Sequence, residues 1–291
     1  MPDWRMAWQT TDDLAAFDAA ALDFLRARPT ENTILLSVPS VLRERGPMAF
    51  GDDCPRFGWY QDADGTVSGA FLQTPPHPLL LSDLPERAAT QSLVDALRAS
   101  GRPLPGVNGP QSVAEAVARA WCAETGAVAR EGLRHRLYLL GELTNPEPGP
   151  PGSARVATTA DLDLLLTWFV DFSEEVGEPV INAQRAVVDR LDYGGLTLWE
   201  VDGAPVSMAG ITRLLEGDGI RIGPVYTPKP LRGRGYAAAA TAVACQTAYD
   251  RGAREISLFT DLANPTSNAL YQRLGFRPLG DRAVFHFEPP H

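Results

Sequence analysis

Two periods of hydrophobicity alternate along the chain. Where apolar residues recur at every third or fourth position a helix is expected; where they alternate, or run together between turn residues, a strand is expected. In the second half the pattern predicts a strand at Arg155–Ala157, then a helix capped by Thr158 and Thr159 whose apolar stripe passes through Leu162, Leu165, Phe169 and Phe172. A second helix is predicted from Asn182 to Leu191. Strands follow at Leu196–Val201, Pro205–Leu214 and Ile220–Thr227, separated by turns at Asp202-Gly203 and Gly217-Asp218-Gly219. An alanine-rich helix from Arg234 to Arg251 stops at Gly252. A strand at Glu255–Thr260, a helix at Thr266–Leu274 stopped by Gly275, and a last strand near Ala283–Phe287 complete the order β-α-α-β-β-β-α-β-α-β.

The first half predicts a similar succession. A strand at Arg5–Gln9 leads to helices near Leu14–Ala27 and Thr30–Glu44. Strands Phe57–Gln61 and Val67–Gln73 flank Asp64-Gly65, helices fall at Arg87–Ala99 and Gln111–Thr125, and a strand lies at Leu133–Leu140. The stretch from Trp59 to Ala70 echoes that from Trp199 to Ala209, and a duplication is expected. Between the halves, residues 145–152 hold four prolines and two glycines, a composition that reads as a linker. The expected domains are therefore 1–144 and 153–291.

The segment most suggestive of chemistry is Arg232-Gly233-Arg234-Gly235-Tyr236-Ala237, which leads from a strand into the alanine-rich helix. Glycines let backbone approach a charged group closely, and the free N–H groups and dipole of a helix start favour an anion. The first half has Leu81-Ser82-Asp83-Leu84-Pro85-Glu86 at the corresponding place, with acids where a phosphate would sit. Pro224 interrupts the apolar run before the loop. It cannot donate to a sheet ladder, so the strand must bulge or part from its neighbour there.

A strand followed by Arg-x-x-Gly-x-Ala, then Asn264-Pro265-Thr266-Ser267-Asn268 with Tyr271 and Gly275-Phe276, resembles the GNAT N-acetyltransferase superfamily, most closely its glycine N-acyltransferase-like branch. The resemblance covers residues 153–288 and implies a mixed α/β fold: two tandem GNAT-like domains, mostly antiparallel sheet with splayed central strands flanked by helices, the first domain degenerate. It implies acetyl-CoA as cosubstrate and direct transfer of the acetyl group to a primary amine of a small molecule. The pantetheine arm would lie against the backbone of Val225, Tyr226 and Thr227, with the Val225 N–H on the thioester carbonyl because Pro224 has none. The pyrophosphate would rest on Arg232, Gly233, Arg234, Gly235, Tyr236, Ala237 and Ala238, and Asn264 would bond the cofactor. Tyr271 would protonate the departing thiolate. Family members use a carboxylate as base, and the acidic segment Asp171 to Pro179 offers Glu175. A non-catalytic acyl-CoA sensor or an interaction protein is the alternative.

Composition narrows the partners. A formal charge of −10, spread over both halves, offers no basic stripe to nucleic acid. No apolar run reaches the length of a membrane span. Asp3, Arg5, Asp12 and Asp13 would break an apolar leader, and Cys54, Cys122 and Cys245 are scattered without metal spacing. A cytoplasmic protein without a metal is expected.

Overall fold

The computed structural model describes residues 7–85, 87–177 and 182–289. Arg5, Glu86, Glu178 and Pro179 lie outside the described residues. The chain packs as two compact units, Met1–Arg136 with Gly280–His291 and Leu137–Leu279. This division differs from the expected one at residues 145–152. That segment carries no helix or strand but belongs to the second unit, and the tail of the chain belongs to the first.

The first unit is built from β1 (Ala7–Thr11), α1 (Leu14–Arg26), α2 (Thr33–Arg45), β2 (Arg56–Gln61), β3 (Val67–Gln73), β4 (Leu79–Leu81), α3 (Arg87–Ala99), β5 (Gly106–Pro110), α4 (Gln111–Thr125) and most of β6 (Val128–Leu140). β4 and β5 were not expected from the sequence. β4 has three residues, and β5 (Gly-Val-Asn-Gly-Pro) lacks the β-branched run that marks a strand. β4 pairs parallel with β5; the pairs β1–β2, β2–β3 and β3–β4 are antiparallel. Phe17, Leu25, Leu36, Phe57 and Leu72 form one buried cluster, and Trp8, Tyr60, Phe71, Leu93, Val107 and Val117 another.

The second unit holds the end of β6, then β7 (Ser153–Val156), α5 (Leu162–Val176), α6 (Ala183–Asp192), β8 (Leu196–Val201), β9 (Ala204–Ile211), β10 (Gly219–Tyr226), α7 (Tyr236–Asp250), β11 (Glu255–Asp261), α8 (Pro265–Arg273) and the start of β12 (Phe276–Glu288). β12 is much longer than the expected Ala283–Phe287. Pro278 and Gly280, which read as breaks, sit where the strand passes from the second unit's residues to the first's. Both units share the order β-α-α-β-β-β-α-β-α-β.

Within the second unit the sheet runs β11-β10-β9-β8-β7, antiparallel except for the parallel pair β10–β11. Alternation sorts the side chains onto two faces. Met208 joins Leu165, Trp168 and Phe169 of α5 in one cluster, while its neighbour Ala209 joins the α7 alanines with Ile222, Leu258 and Phe276 in another. Alanines suit α7 because eight of its residues are buried and short side chains let the helix lie close to the strands. Thr158 and Asp161 form a reciprocal capping box before α5, and the Arg155 guanidinium grips Asp161 through two hydrogen bonds of 2.7 Å. The architecture is a mixed α/β fold, a mostly antiparallel sheet flanked by helices, as the sequence implies.

Candidate active site

The centre of the second unit is a gap between two strands. β10 and β11 pair only from Gly219↔Glu255 to Ile222↔Leu258, although β10 continues to Tyr226 and β11 to Asp261. The register between β10 and β9 shifts between Ile222 and Val225, so the bulge falls on Gly223-Pro224. Proline removes the donor that would extend the ladder. Glycine opposite makes the bulge fit: a Cβ on Gly210 would lie 2.8 Å from the Gly223 carbonyl oxygen. The splay expected from Pro224 is therefore present, and it leaves the β11-facing edge of Val225 and Tyr226 without a β11 partner.

The loop beyond β10 carries Gly233 at φ +76° and Gly235 at φ +85°, left-handed conformations that favour glycine. Gly235 is the N-cap of α7 and offers no capping side chain, so no side chain caps the first N–H groups of this helix. The next three residues, Tyr236, Ala237 and Ala238, open the helix, with Tyr236 buried and Ala238 packed on the α7 cluster. Arg234 is exposed and forms no ion pair among the described residues.

Arg232 is placed differently from the reading that leaves its side chain for a phosphate. Its Nε donates to the Thr227 carbonyl oxygen at 2.8 Å, one terminal nitrogen donates to Glu175 at 2.5 Å, and the guanidinium lies 5.8 Å from the Tyr226 ring centre. The side chain thus ties the loop to β10 and α5. Glu175 receives a second cation, Lys229, at 3.8 Å. Its carboxylate is committed to the loop, while Asp171 and Glu174 on the same helix share with it an open cleft of about 480 Å³. Tyr226, Pro228, Lys229 and Pro230 line the rest. The Tyr226 hydroxyl donates to Asp171 at 3.1 Å; burial first, then this bond, pushes the phenol up, so it remains the donor.

Two structural roles escaped the sequence reading. Ser207 is fully buried and donates to the Tyr226 carbonyl at 3.0 Å. The Thr227 hydroxyl, 2.8 Å away, must therefore donate to Ser207. A single serine in a strand carries no signal of this. Asn268 donates to the Asp261 and Asn264 carbonyls at 2.9 and 2.7 Å and accepts from Tyr138 at 2.8 Å, fixing the turn from β11 into α8. The Asn264 side chain caps α8, accepting from the Ser267 N–H at 3.1 Å.

Tyr271 is half-buried on α8, its ring edge-on to Phe276 at 5.9 Å, and with Val225 and Ala238 it flanks the same apolar cluster. Burial, with Cys245 adding to it, holds the phenol well above its ordinary value. Its hydroxyl takes no hydrogen bond among the described residues. Cys245 on α7 is buried and its thiol is pushed up to about 12 by burial. A protonated thiol is a poor nucleophile. Alkylation of the folded protein near neutral pH should mark exposed Cys54 and spare Cys245, and acetyl-CoA should leave no acetyl group on Cys245. Peptide mass spectrometry checks both, and an acetylated Cys245 would contradict direct transfer.

A strand splay beside an uncapped, glycine-led helix start is a place for a long ligand with a charged end. Residues 162–276 match the model of the acetyltransferase (GNAT) family. This stretch is a GNAT acetyltransferase domain, and the protein is an acyltransferase. Solved structures agree on the fold. A GCN5-related N-acetyltransferase from Sphaerobacter thermophilus shares 19% identity over 98% of this chain and 96% of its own, with a TM-score of 0.62. A GNAT-family acetyltransferase from Colwellia psychrerythraea shares 17% over 96% and 98%, at 0.58. A GCN5-related N-acetyltransferase from Kribbella flavida shares 20% over 76% and 88%, at 0.51. No curated protein matches the chain. Among the described residues no helix of this acyltransferase is long and apolar enough to cross a membrane.

Proposed function

We propose that the second unit transfers an acetyl group from acetyl-CoA directly to the primary amine of a small molecule. The observation that carries this reading is the end of β10–β11 pairing at Ile222 beside the uncapped start of α7. Acetyl-CoA supplies an activated acyl thioester. The backbone amides of residues 232–238 and the exposed Arg234 would hold its pyrophosphate, with Arg232 positioning the loop rather than touching the anion. Val225, Tyr226 and Thr227 would present backbone groups to the pantetheine amides; the Val225 N–H would polarise the reacting carbonyl. The Asn264 amide nitrogen, with its oxygen already capping α8, is left for the cofactor.

The acidic cleft is where a cationic amine would enter. Asp171 and Glu174 would hold the ammonium, and one of them would take its proton before attack. Glu175, the carboxylate the sequence favours, is held by Arg232 and Lys229, which weighs against it as the base and for it as the anchor of the loop. Tyr271 would face the departing thiolate. Its raised pKa weighs against the full proton transfer that the motif implies and leaves the phenol a hydrogen-bond donor while negative charge develops on sulfur.

The first unit is read as a degenerate copy of the second. Both units have one element order, and each has a parallel strand pair joined through a helix, β4-α3-β5 and β10-α7-β11. Where the second unit has its glycine loop, the first has Ser82 and Asp83. Incubation with acetyl-CoA and a panel of small primary amines, following released thiol and acetylated product together, tests the assignment. Turnover with at least one amine is expected. Binding of acetyl-CoA without product from any amine would favour the sensor reading.

A further inference from the structure

The first unit holds an open cleft of about 710 Å³ that the acetyl-transfer reading does not use, a volume ordinary for a small-molecule site. One wall is a face of α4 that runs from Ser112 to Glu124, about 18 Å along the helix. The other is the turn at Asp83-Leu84 after β4, together with the start of α3 at Thr90 and Gln91. On α4, Val113, Ala116, Ala120 and Ala123 recur at the helical period and give that wall a small, apolar surface. The segment from Leu81 to Glu86 lacks the glycines with which the second unit's loop would hold a pyrophosphate. The cleft therefore suits another ligand.

Three polar side chains that line it are unspent. Thr90 is only 8% exposed, yet its hydroxyl forms no hydrogen bond among the described residues. A buried hydroxyl is destabilising until a partner reaches it. The Ser112 hydroxyl and the Arg119 guanidinium, both exposed, likewise form no hydrogen bond or ion pair among the described residues. The carboxylates of the cleft, by contrast, are engaged. Glu124 receives Arg98 at 2.7 Å. Asp83 accepts from the Leu84 N–H at 3.1 Å and lies 4.0 Å from Arg28. With both acids answered by cations from outside the cleft, Arg119 is the charge left over among the described lining residues.

We infer that this cleft is a second ligand site, for a small organic monocarboxylate with a hydrocarbon body. The guanidinium fork of Arg119 matches the two oxygens of a carboxylate, whose remaining lone pairs accept from the Thr90 hydroxyl. The hydrocarbon body covers the apolar face of α4 and leaves water in doing so. One free guanidinium balances one negative charge. A phosphate dianion would bring its second charge towards Asp83 and Glu124, and a cationic ligand would meet Arg119 itself.

A ligand-observed NMR titration of the full chain tests this without reference to acetyl transfer. Hexanoate is compared with hexanamide, hexyl phosphate and hexylamine, which carry the same body under a different head. Hexanoate should bind saturably and at least about tenfold more tightly than the other three. Arg119→Gln, an exposed substitution, should weaken hexanoate at least about tenfold. Thr90→Val keeps the shape of the side chain and should weaken it about three- to tenfold. Arg254→Gln, which removes an exposed arginine of the second unit paired with Asp218, should leave it unchanged. Saturating acetyl-CoA should also leave hexanoate bound. No saturable binding, a rival head that binds as tightly, or an affinity unchanged in Arg119→Gln would overturn the proposal. Displacement by acetyl-CoA would put hexanoate in an acyl-CoA site and overturn it as well.

Discussion

Replacing Tyr271 by phenylalanine should lower kcat by about 10²- to 10³-fold, the usual cost of removing one preorganised donor from a developing anion. KM for acetyl-CoA should stay nearly unchanged, because the phenol would act on charge that exists only as the thiolate departs. The ring stays in place in the variant, edge-on to Phe276, so folding should be unaffected. The pH profile supplies a second check. Burial lifts the Tyr271 phenol above its ordinary value of about 10, so it remains protonated throughout the neutral and moderately alkaline range. A rise in kcat with pH below about 8 therefore belongs to groups other than Tyr271, the amine acceptor among them, and Tyr271→Phe should lower that curve without moving its midpoint. A variant with full kcat, or one whose midpoint shifts, would remove Tyr271 from the chemistry.

Gly235→Asp should weaken acetyl-CoA binding at least about 100-fold, which removes close to 2.7 kcal/mol of the stabilisation a ligand gives at saturating concentration. Two effects add. The residue sits at φ +85°, where any side chain is strained, and the carboxylate would occupy the place where the helix start favours an anion. The fold should survive, since the nearest atoms a Cβ would meet are those of Pro150 at 3.6 Å, an ordinary contact. Gly235→Ala separates the two causes. It brings the same backbone strain without the charge, so it should lose a smaller share of the affinity.

Much of the second unit could be read from the sequence because its signals are local. Asp202-Gly203 and Gly252 mark turns, the alanine run marks a helix against a sheet, and Pro224 announced that β10 must bulge or part from a neighbour, the resemblance implying that the neighbour is β11. The first unit was less legible. β4 is too short for alternation to show, and β5 carries glycines at both ends of its central pair, so neither has the pattern of a strand. The passage of β12 between units was hidden by Pro278 and Gly280, residues that break most strands.

The candidate site divides along the same line. Glycines, the prolines and Tyr271 declare themselves by type and spacing. The pairing of Arg232 with Glu175, 57 positions apart, does not, because a charge in a sequence has no direction.

The most direct test is a calorimetric titration of the full chain with acetyl-CoA, alongside Gly235→Asp. The account predicts one acetyl-CoA bound per chain, and in the variant binding weakened at least about 100-fold. Two per chain would show that the first unit also binds, and none would contradict the assignment of the glycine loop and the strand gap as the acyl-CoA site.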